Sequence, residues 1–234
     1  MKWKLQLRQV AVAATGAVLA TGGVAHAATA KLDFGLAAPT PGTISFAGTT
    51  SDPLTGTNIQ VDNVVGLNTP LHLAQKSTCV SCLLNFSSGD FTGYNAATKT
   101  WTFNGGGAIS IIGGIDFTDN TSIPDIATGS TLLSGTFTAA SVTKLPTGFY
   151  DFRIAAGSFD DTKNSVLLSY YGLPEVSYKG SMNLSFSATP NGTYGFTSTA
   201  VRSGDIINAP VPLPAAAWLL ASGLIGLAGR RRAA

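Results

Sequence analysis

Two cysteines are the residues best suited to chemistry in this 234-residue chain, in the segment Cys79-Val80-Ser81-Cys82. Pairs with this spacing occur in redox dithiols, zinc sites and small disulfides. A redox dithiol needs a helix after its first cysteine to lower the thiol pKa, whereas Leu83–Phe86 has the composition of a strand. Zinc requires a second ligand pair that the sequence lacks. We therefore predict a disulfide between Cys79 and Cys82, and no metal site.

Side chains for other kinds of catalysis are scarce. After the first 27 residues the chain has one histidine, His72, which is flanked by two leucines and is typical of a half-buried structural residue. Catalytic triads of serine or cysteine need an imidazole to activate the nucleophile. Glu175 is the only glutamate. We predict no catalytic residue and no cofactor, although two acids converging from distant loops could still perform carboxylate-based hydrolysis.

The elements that must position these residues are predicted to be β-strands. Residues 28–208 contain short β-branched and aromatic segments separated by Gly, Asn, Asp or Pro, and polar and apolar residues alternate in Met182–Ser187. Asn104–Gly107, Gly113-Gly114 and Asn191-Gly192 are predicted turns. We expect one all-β domain, built as an antiparallel sandwich or jelly roll. The predicted strands are Thr43–Phe46, Gln60–Val65, Leu83–Phe86, Thr100–Phe103, Ala108–Ile112, Thr131–Phe137, Tyr150–Ala155, Ser181–Ala188 and Tyr194–Ala200.

One short helix is predicted at about residues 161–171. Asp160-Asp161-Thr162 precede an apolar segment that ends at Gly172. Aspartates favour the first turn of a helix and glycine favours its end. The two aspartates could also serve in acid–base chemistry or calcium binding, but helix capping explains them more simply.

The N-terminus has the pattern of a secretory signal peptide. Lys2, Lys4 and Arg8 precede the apolar helical run Val10–Val24, and Ala25-His26-Ala27 provides small residues at the cleavage site. Residues 1–27 are therefore predicted to engage the Sec translocon and to be removed by signal peptidase after Ala27, with cleavage after Ala30 as the alternative. Export to an oxidising compartment also favours the predicted disulfide.

The charge of the domain differs in sign from that of the whole chain. Of 14 Lys and Arg residues, three precede Val10 and three lie at the C-terminus, so eight remain against all 12 Asp and Glu residues. The domain is negative although the chain carries a formal net charge of +2. Nucleic acid is therefore not an expected partner.

The C-terminus has the order of a membrane sorting signal. Residues Val211-Pro212-Leu213-Pro214 precede an apolar run from Ala215 to Gly229 and the cluster Arg230, Arg231 and Arg232. As a helix, Val211–Gly229 would span roughly 28 Å, close to the hydrocarbon core of a bilayer. We predict a transmembrane helix at about residues 213–229, with the arginines at 230–232 stopping transfer on the cytoplasmic side. A permanent single-pass anchor is the alternative to a temporary one.

This tail, residues 209–234, resembles the PEP-CTERM sorting domain of Gram-negative bacteria that produce exopolysaccharide. Leu213 stands where the name-giving motif has glutamate, so the tail resembles the Val-Pro-Leu-Pro variant. The resemblance implies that an exosortase, a membrane-embedded cysteine transpeptidase, cleaves the chain near Val211–Pro214. It covers the tail alone and implies nothing about the preceding domain.

These observations predict an exported, non-catalytic surface or extracellular-matrix protein of an exopolysaccharide or biofilm layer. Its precursor would be held transiently in the inner membrane before the protein reaches the cell surface or medium, where extracellular polysaccharide is a candidate partner. The alternative is an exported carbohydrate-binding module or hydrolase that uses converging carboxylates. Its exposed aromatics would include Tyr94, Trp101, Tyr170 and Tyr171, so coplanar exposed rings or two carboxylates in a cleft would favour that alternative.

Overall fold

The computed structural model describes residues 29–118, 123–147 and 150–211, without the side chains of residues 151–158. The predicted signal peptide with Ala25 and Ala27 lies outside the described residues. The predicted transmembrane helix at about 213–229 also lies outside the described residues. The same is true of Pro212, Leu213 and Pro214 of the predicted sorting motif and of the basic end, Arg230, Arg231 and Arg232. Among the residues that are described, no helix is long and apolar enough to cross a lipid bilayer.

The all-β prediction is confirmed for the described part of the chain, which forms nine strands and one short helix. The elements are β1 (Lys31–Leu36), β2 (Thr43–Phe46), β3 (Pro53–Leu67), β4 (Lys76–Asn95), β5 (Thr100–Asp116), β6 (Ile126–Lys144), β7 (Tyr150–Lys163), α1 (Ser165–Tyr171), β8 (Tyr178–Asn191) and β9 (Gly195–Pro210).

All nine strands belong to one antiparallel sheet that closes on itself. The strand order is β1-β3-β2-β9-β8-β7-β6-β5-β4, and the additional pairing of β3 with β4 joins the two sides of this series. The short strand β1 pairs with both β3 and β9. Inward-facing aromatic and aliphatic side chains fill the enclosed space, for example Phe34, Phe46, Phe186 and Phe196.

The finer prediction of a sandwich or jelly roll is not shown, because the nine strands form one sheet that closes on itself. Two of the predicted turns do not interrupt the strands. Asn104–Gly107 and Gly113-Gly114 lie inside β5, so two predicted short strands form one long strand. Gly106 and Gly107 have φ values of 105° and 69°, and the register with β6 shifts between Gly106 and Ile109. Such irregularities bend long strands and let a sheet curl.

The predicted helix exists, but it begins later than expected. Helix α1 starts at Ser165, and Asn164 caps it by accepting hydrogen bonds from the backbone N–H groups of Val166 and Leu167. Asp160 and Asp161 do not cap the helix, because they pair with β6 and β8 as part of β7. Gly172 ends the helix in the left-handed conformation at φ 69°, as predicted.

Strand directions give the closed sheet two distinct ends. Strands β1, β4 and β8 begin at the end of the sheet where β3, β5 and β9 finish. The residue pairs that show this are Lys31–Leu67, Val65–Lys76, Thr78–Asp116 and Tyr178–Pro210. Helix α1 follows β7 at this same end and buries Leu167, Leu168 and Tyr171 against the core. We call this the helix end, comprising residues 68–75, 117–118, 123–125, 164–177 and 211. The turn at residues 192–194 lies at the opposite end.

Candidate functional site

The predicted disulfide between Cys79 and Cys82 is not seen in the structure, where both residues are free thiols. Ser81, at φ 53°, is an extra residue in β4, since the register with β5 shifts between Val80 and Leu83. The extra residue changes the alternation of the strand, so that Cys79 and the fully buried Cys82 both pack against the core. The bulge therefore brings together two side chains that a regular strand would place on opposite faces.

The environment of these thiols opposes thiolate chemistry. A hydrogen bond with Cys82 raises the pKa of Cys79, and burial raises it further. The Cys82 thiol also donates to the backbone oxygen of Gly114 at 3.2 Å. Since the thiolate is the nucleophilic and metal-binding form, a raised pKa makes Cys79 a poor redox nucleophile. The pair is thus suited to a structural role, as hydrogen-bonded thiols or as a bridge.

The four aromatic residues named as candidate sugar-binding residues are not brought together. Tyr171 is fully buried at the helix end, and Trp101 is buried near the opposite end, where its indole N–H donates to the Tyr194 carbonyl. Tyr94 contacts Trp101, but their rings are inclined by 45° and do not form a flat platform. Tyr170 and Tyr94 are both partly exposed, and each lies beside an open surface depression, but these depressions are at opposite ends of the sheet.

That depression contains three stacked rings. The rings of His72 and Tyr170 are 3.9 Å apart with an interplanar angle of 4°, and those of Tyr170 and Phe117 are 3.8 Å apart at 5°. The depression encloses about 560 Å³ and also includes Leu71, Val166 and Glu175 in its lining. Because the rings stack on one another, they offer one outer ring face rather than a broad coplanar surface. His72, expected to be half-buried, is exposed here.

A buried ion pair lies on the inner side of β7 near the helix end. The side chains of Asp161 and Lys163 form a salt bridge and have no solvent exposure. The Lys163 ammonium also lies 4.8 Å from the centre of the Tyr178 ring. Burial lowers the pKa of Lys163 to about 8, despite the adjacent carboxylate, and burial raises the pKa of Asp161. No local sequence pattern marks Lys163 as buried, because the strand face it occupies depends on the length of β7.

Two oxygens in this region lack a hydrogen-bond donor among the described residues, Asp161 Oδ2 and Asn208 Oδ1. Asn208 is fully buried on β9, and its Oδ1 lies close to Gly180. Both oxygens could accept from a buried water, which commonly satisfies such groups. An ion pair enclosed in this way is a structural arrangement whose two partners must be kept or replaced together.

One pair of carboxylates lies on neighbouring strands. Asp33 of β1 pairs with Ile207, and Gly35 pairs with Asp205, so the two aspartates are diagonal neighbours. They lie on the outer face, because Leu32, Phe34 and Ile206 face inwards. Burial, and then the charge of Asp205, raise the pKa of Asp33 to about 6. That is the behaviour of a general acid, but an outer sheet face does not enclose a sugar ring as a hydrolase cleft does.

Within the described ranges, no three His, Cys, Asp or Glu side chains are grouped so that they could hold a metal ion.

The first residue of the predicted sorting motif, Val211, is the last residue that the structure describes. Pro210 pairs with Tyr178 in the last step of the β8–β9 ladder, and the Val211 N–H donates to the Ser177 carbonyl at 3.0 Å. Val211 is exposed at the helix end. The first residue of the motif is therefore held by the domain, and the chain leaves the described region from this surface.

No family model, no curated protein and no solved structure matches this chain.

Proposed function

We propose that this chain is an exported, non-catalytic β protein of the bacterial surface or extracellular matrix, delivered by an exosortase-type sorting tail. Its precursor is held in the inner membrane by the apolar run that follows Val211. Cleavage near Val211–Pro214 releases the closed-sheet domain to an exopolysaccharide or biofilm layer, where polysaccharide is the expected partner. The resemblance of residues 209–234 to PEP-CTERM tails supports this delivery route.

The observation that carries the proposal is that Val211, the last described residue and the first of the predicted motif, is held by the domain. Its N–H donates to the Ser177 carbonyl at 3.0 Å, and Pro212 and Pro214 follow in the sequence. Proline has no N–H to extend the ladder with β8, so the chain beyond Val211 has no donor for the next strand pairing at those positions. A membrane protease would therefore be able to cleave at the motif while the neighbouring domain stays folded.

The character of the domain supports a structural role. Its aromatic side chains mainly fill the interior of the sheet, and burial raises the pKa of Tyr178 and of Tyr171 to about 12. The Cys79 thiol is likewise held protonated by its neighbour Cys82. These groups stabilise the interior of the fold, and their ionisation is suppressed at neutral pH.

Processing tests the proposal. Protein recovered from the medium or cell surface of a host with an exosortase should lack both termini by intact-mass analysis. The double variant Pro212→Ala and Pro214→Ala should keep its tail and remain in the membrane fraction. Pro190→Ala, at an exposed position of β8 towards the opposite end, is the matched control and should be released normally. Released protein that still carries Arg230–Arg232 would refute the processing step.

A second candidate is a carbohydrate-binding module, supported by the partly exposed Tyr170 and the exposed His72 beside the open depression. Aromatic ring faces can pack against sugar rings, although this stack has one outer face. Binding of released protein to the host's own exopolysaccharide, measured by co-sedimentation, distinguishes the candidates. A several-fold loss of binding in His72→Ala, with no loss in Tyr194→Ala at the opposite end, would favour the module.

A further inference from the structure

Exposed apolar side chains are concentrated at one end of the molecule. Among the described residues, eight large hydrophobic side chains are exposed, and five of them lie at the helix end, namely Leu71, Leu73, Ile123, Val166 and Val211. Leu71, Leu73 and Val166 have relative solvent exposures of 52%, 63% and 51% as whole residues. Single exposed hydrophobics are ordinary, but several on one surface mark a contact with another apolar body.

These side chains are not needed by the core. Helix α1 already buries Leu167, Leu168 and Tyr171, and Val166 lies on its outer side. Leu71 and Leu73 belong to the loop between β3 and β4, whose backbone is held by hydrogen bonds from Leu71 N–H to the Tyr171 carbonyl and from Ala74 N–H to the Gly66 carbonyl. Two separate segments thus present apolar side chains in a fixed arrangement at the same end.

The position of Val211 indicates that the exposed apolar side chains of the helix end lie near a lipid bilayer. Val211 is held at the helix end by its hydrogen bond to Ser177, and the apolar run begins at Ala215. Four residues can extend at most about 14 Å, at roughly 3.5 Å per residue. A bilayer that holds this run must therefore lie within that distance of Val211. The helix end, which includes Val211, is therefore the part of the domain that this tether keeps nearest to the bilayer.

We propose that the helix end faces the membrane, and that Leu71, Leu73 and Val166 contact the outer surface of the lipid bilayer while the tail holds the precursor. This inference rests on the proposed function, because it requires the tail to lie in the membrane. The exposed charges of Asp125 and Glu175 at the helix end, and of Lys76 next to it, restrict the contact to the interfacial region, since charged groups are costly in the hydrocarbon core. The contact orients the domain and keeps residues 211–214 at the membrane surface.

Fluorophore labelling of the full-length precursor tests this orientation. Single cysteines are introduced as Leu73→Cys, Val166→Cys or Tyr194→Cys in a Cys79→Ser, Cys82→Ala background and labelled with an environment-sensitive dye. The labelled chains are reconstituted in vesicles of phosphatidylethanolamine and phosphatidylglycerol that contain nitroxide-labelled lipid. We expect several-fold greater quenching, and a blue-shifted emission, at positions 73 and 166 than at position 194.

Alkaline carbonate extraction of the same vesicles separates failure of this inference from failure of the proposed function. Equal, weak quenching at all three positions in protein that resists extraction would overturn the membrane-facing surface and leave the anchored tail intact. Extraction of the protein would refute both. A blue shift at positions 73 and 166 that depends on protein concentration and occurs without nitroxide quenching would indicate a second copy of the chain instead, and would also overturn the proposal.

A second background guards against a folding defect in the cysteine-free chain. It replaces Cys79 alone and keeps Cys82, whose side chain is fully buried and therefore protected from the dye. Agreement between the two backgrounds attributes the quenching to position and not to unfolding. Far-UV circular dichroism of each labelled variant confirms that the sheet is retained.

Discussion

The ring of Tyr171 lies against the backbone of Gly66, so closely that a Cβ atom at position 66 would be 2.4 Å from the tyrosine Cδ1. The tyrosine hydroxyl lies 3.1 Å from the carbonyl oxygens of Val64 and Gln75 and 2.9 Å from the Ser77 hydroxyl. These contacts fix helix α1 across β3 and β4 and thereby close the helix end. A residue without a side chain is required where the ring passes.

Gly66→Ala should therefore destabilise the protein by about 1–3 kcal/mol, the usual cost of overpacking a tight interior. The buried, hydrogen-bonded ring cannot easily move aside. Chemical denaturation measures the loss in free energy of unfolding. Gly93→Ala is the matched control, because a Cβ there would meet nothing within 4 Å, and its stability should be close to that of the original protein. Equal stability of the two variants would contradict this role of Gly66.

Asn164→Ala should cost about 1 kcal/mol of unfolding free energy, the typical contribution of a helix N-cap. The Asn164 side-chain oxygen accepts from Val166 N–H at 3.0 Å and from Leu167 N–H at 3.3 Å, and alanine leaves both donors without that partner. Ser165→Ala changes an exposed neighbour at the first helical position and serves as the control. If both variants lose the same stability, capping by Asn164 is not the cause.

Asp33→Asn should stabilise the protein at neutral pH. Burial and the charge of Asp205 raise the pKa of Asp33 to about 6, so its ionised form is less favourable in the folded protein than in the unfolded chain. The folded protein binds the extra proton between about pH 4 and 6, and its stability falls as the pH rises through that window. The asparagine variant lacks this penalty.

Unfolding followed at several pH values checks the sign of the Asp33 effect. The gain from Asp33→Asn should be complete above about pH 6, where the native carboxylate is ionised, and absent below about pH 4, where both states are protonated. Asp205→Asn should give a smaller gain of the same sign, since it removes only the second cause of the shift. A gain that is constant at all pH values would indicate a change in packing instead.

The oxidation state of Cys79 and Cys82 should depend on the compartment in which the protein is made. In protein made in a reducing cytoplasm, alkylation should label Cys79 before Cys82, because Cys82 is completely buried while Cys79 is partly accessible. In exported protein we expect the adjacent thiols to be oxidised to a disulfide and protected from alkylation until reduced. Mass spectrometry after alkylation reads both states. Two freely alkylated cysteines in non-reduced exported protein would rule out the bridge.

Several features of the fold follow from short stretches of sequence. The alternation in Met182–Ser187 predicts a strand with one buried face, and β8 contains it. Asn191-Gly192 forms the turn between β8 and β9, and Gly172 ends α1 with a positive φ. These features depend on backbone preferences and on side chains that are near one another in the chain, so composition and spacing are sufficient to predict them.

Long-range pairing decided the rest of the fold and the candidate sites. Strand β1 was missed because Lys31–Leu36 is stabilised by β3 and β9, which lie far away in sequence. Asp161 was predicted to cap the helix. Because β7 extends to Lys163, Asp161 lies within the strand, and its side chain faces the core beside Lys163.

The sequence by itself determined the all-β class and the short helix, because these depend on local composition. Only the tertiary structure decided that the sheet closes and that Cys79 meets Cys82. It also placed Leu73, Val166 and Val211 at one end. Sheet closure and register depend on where bulges such as Ser81 shift the pairing of distant strands, and each shift of one residue reverses which side chains face the core.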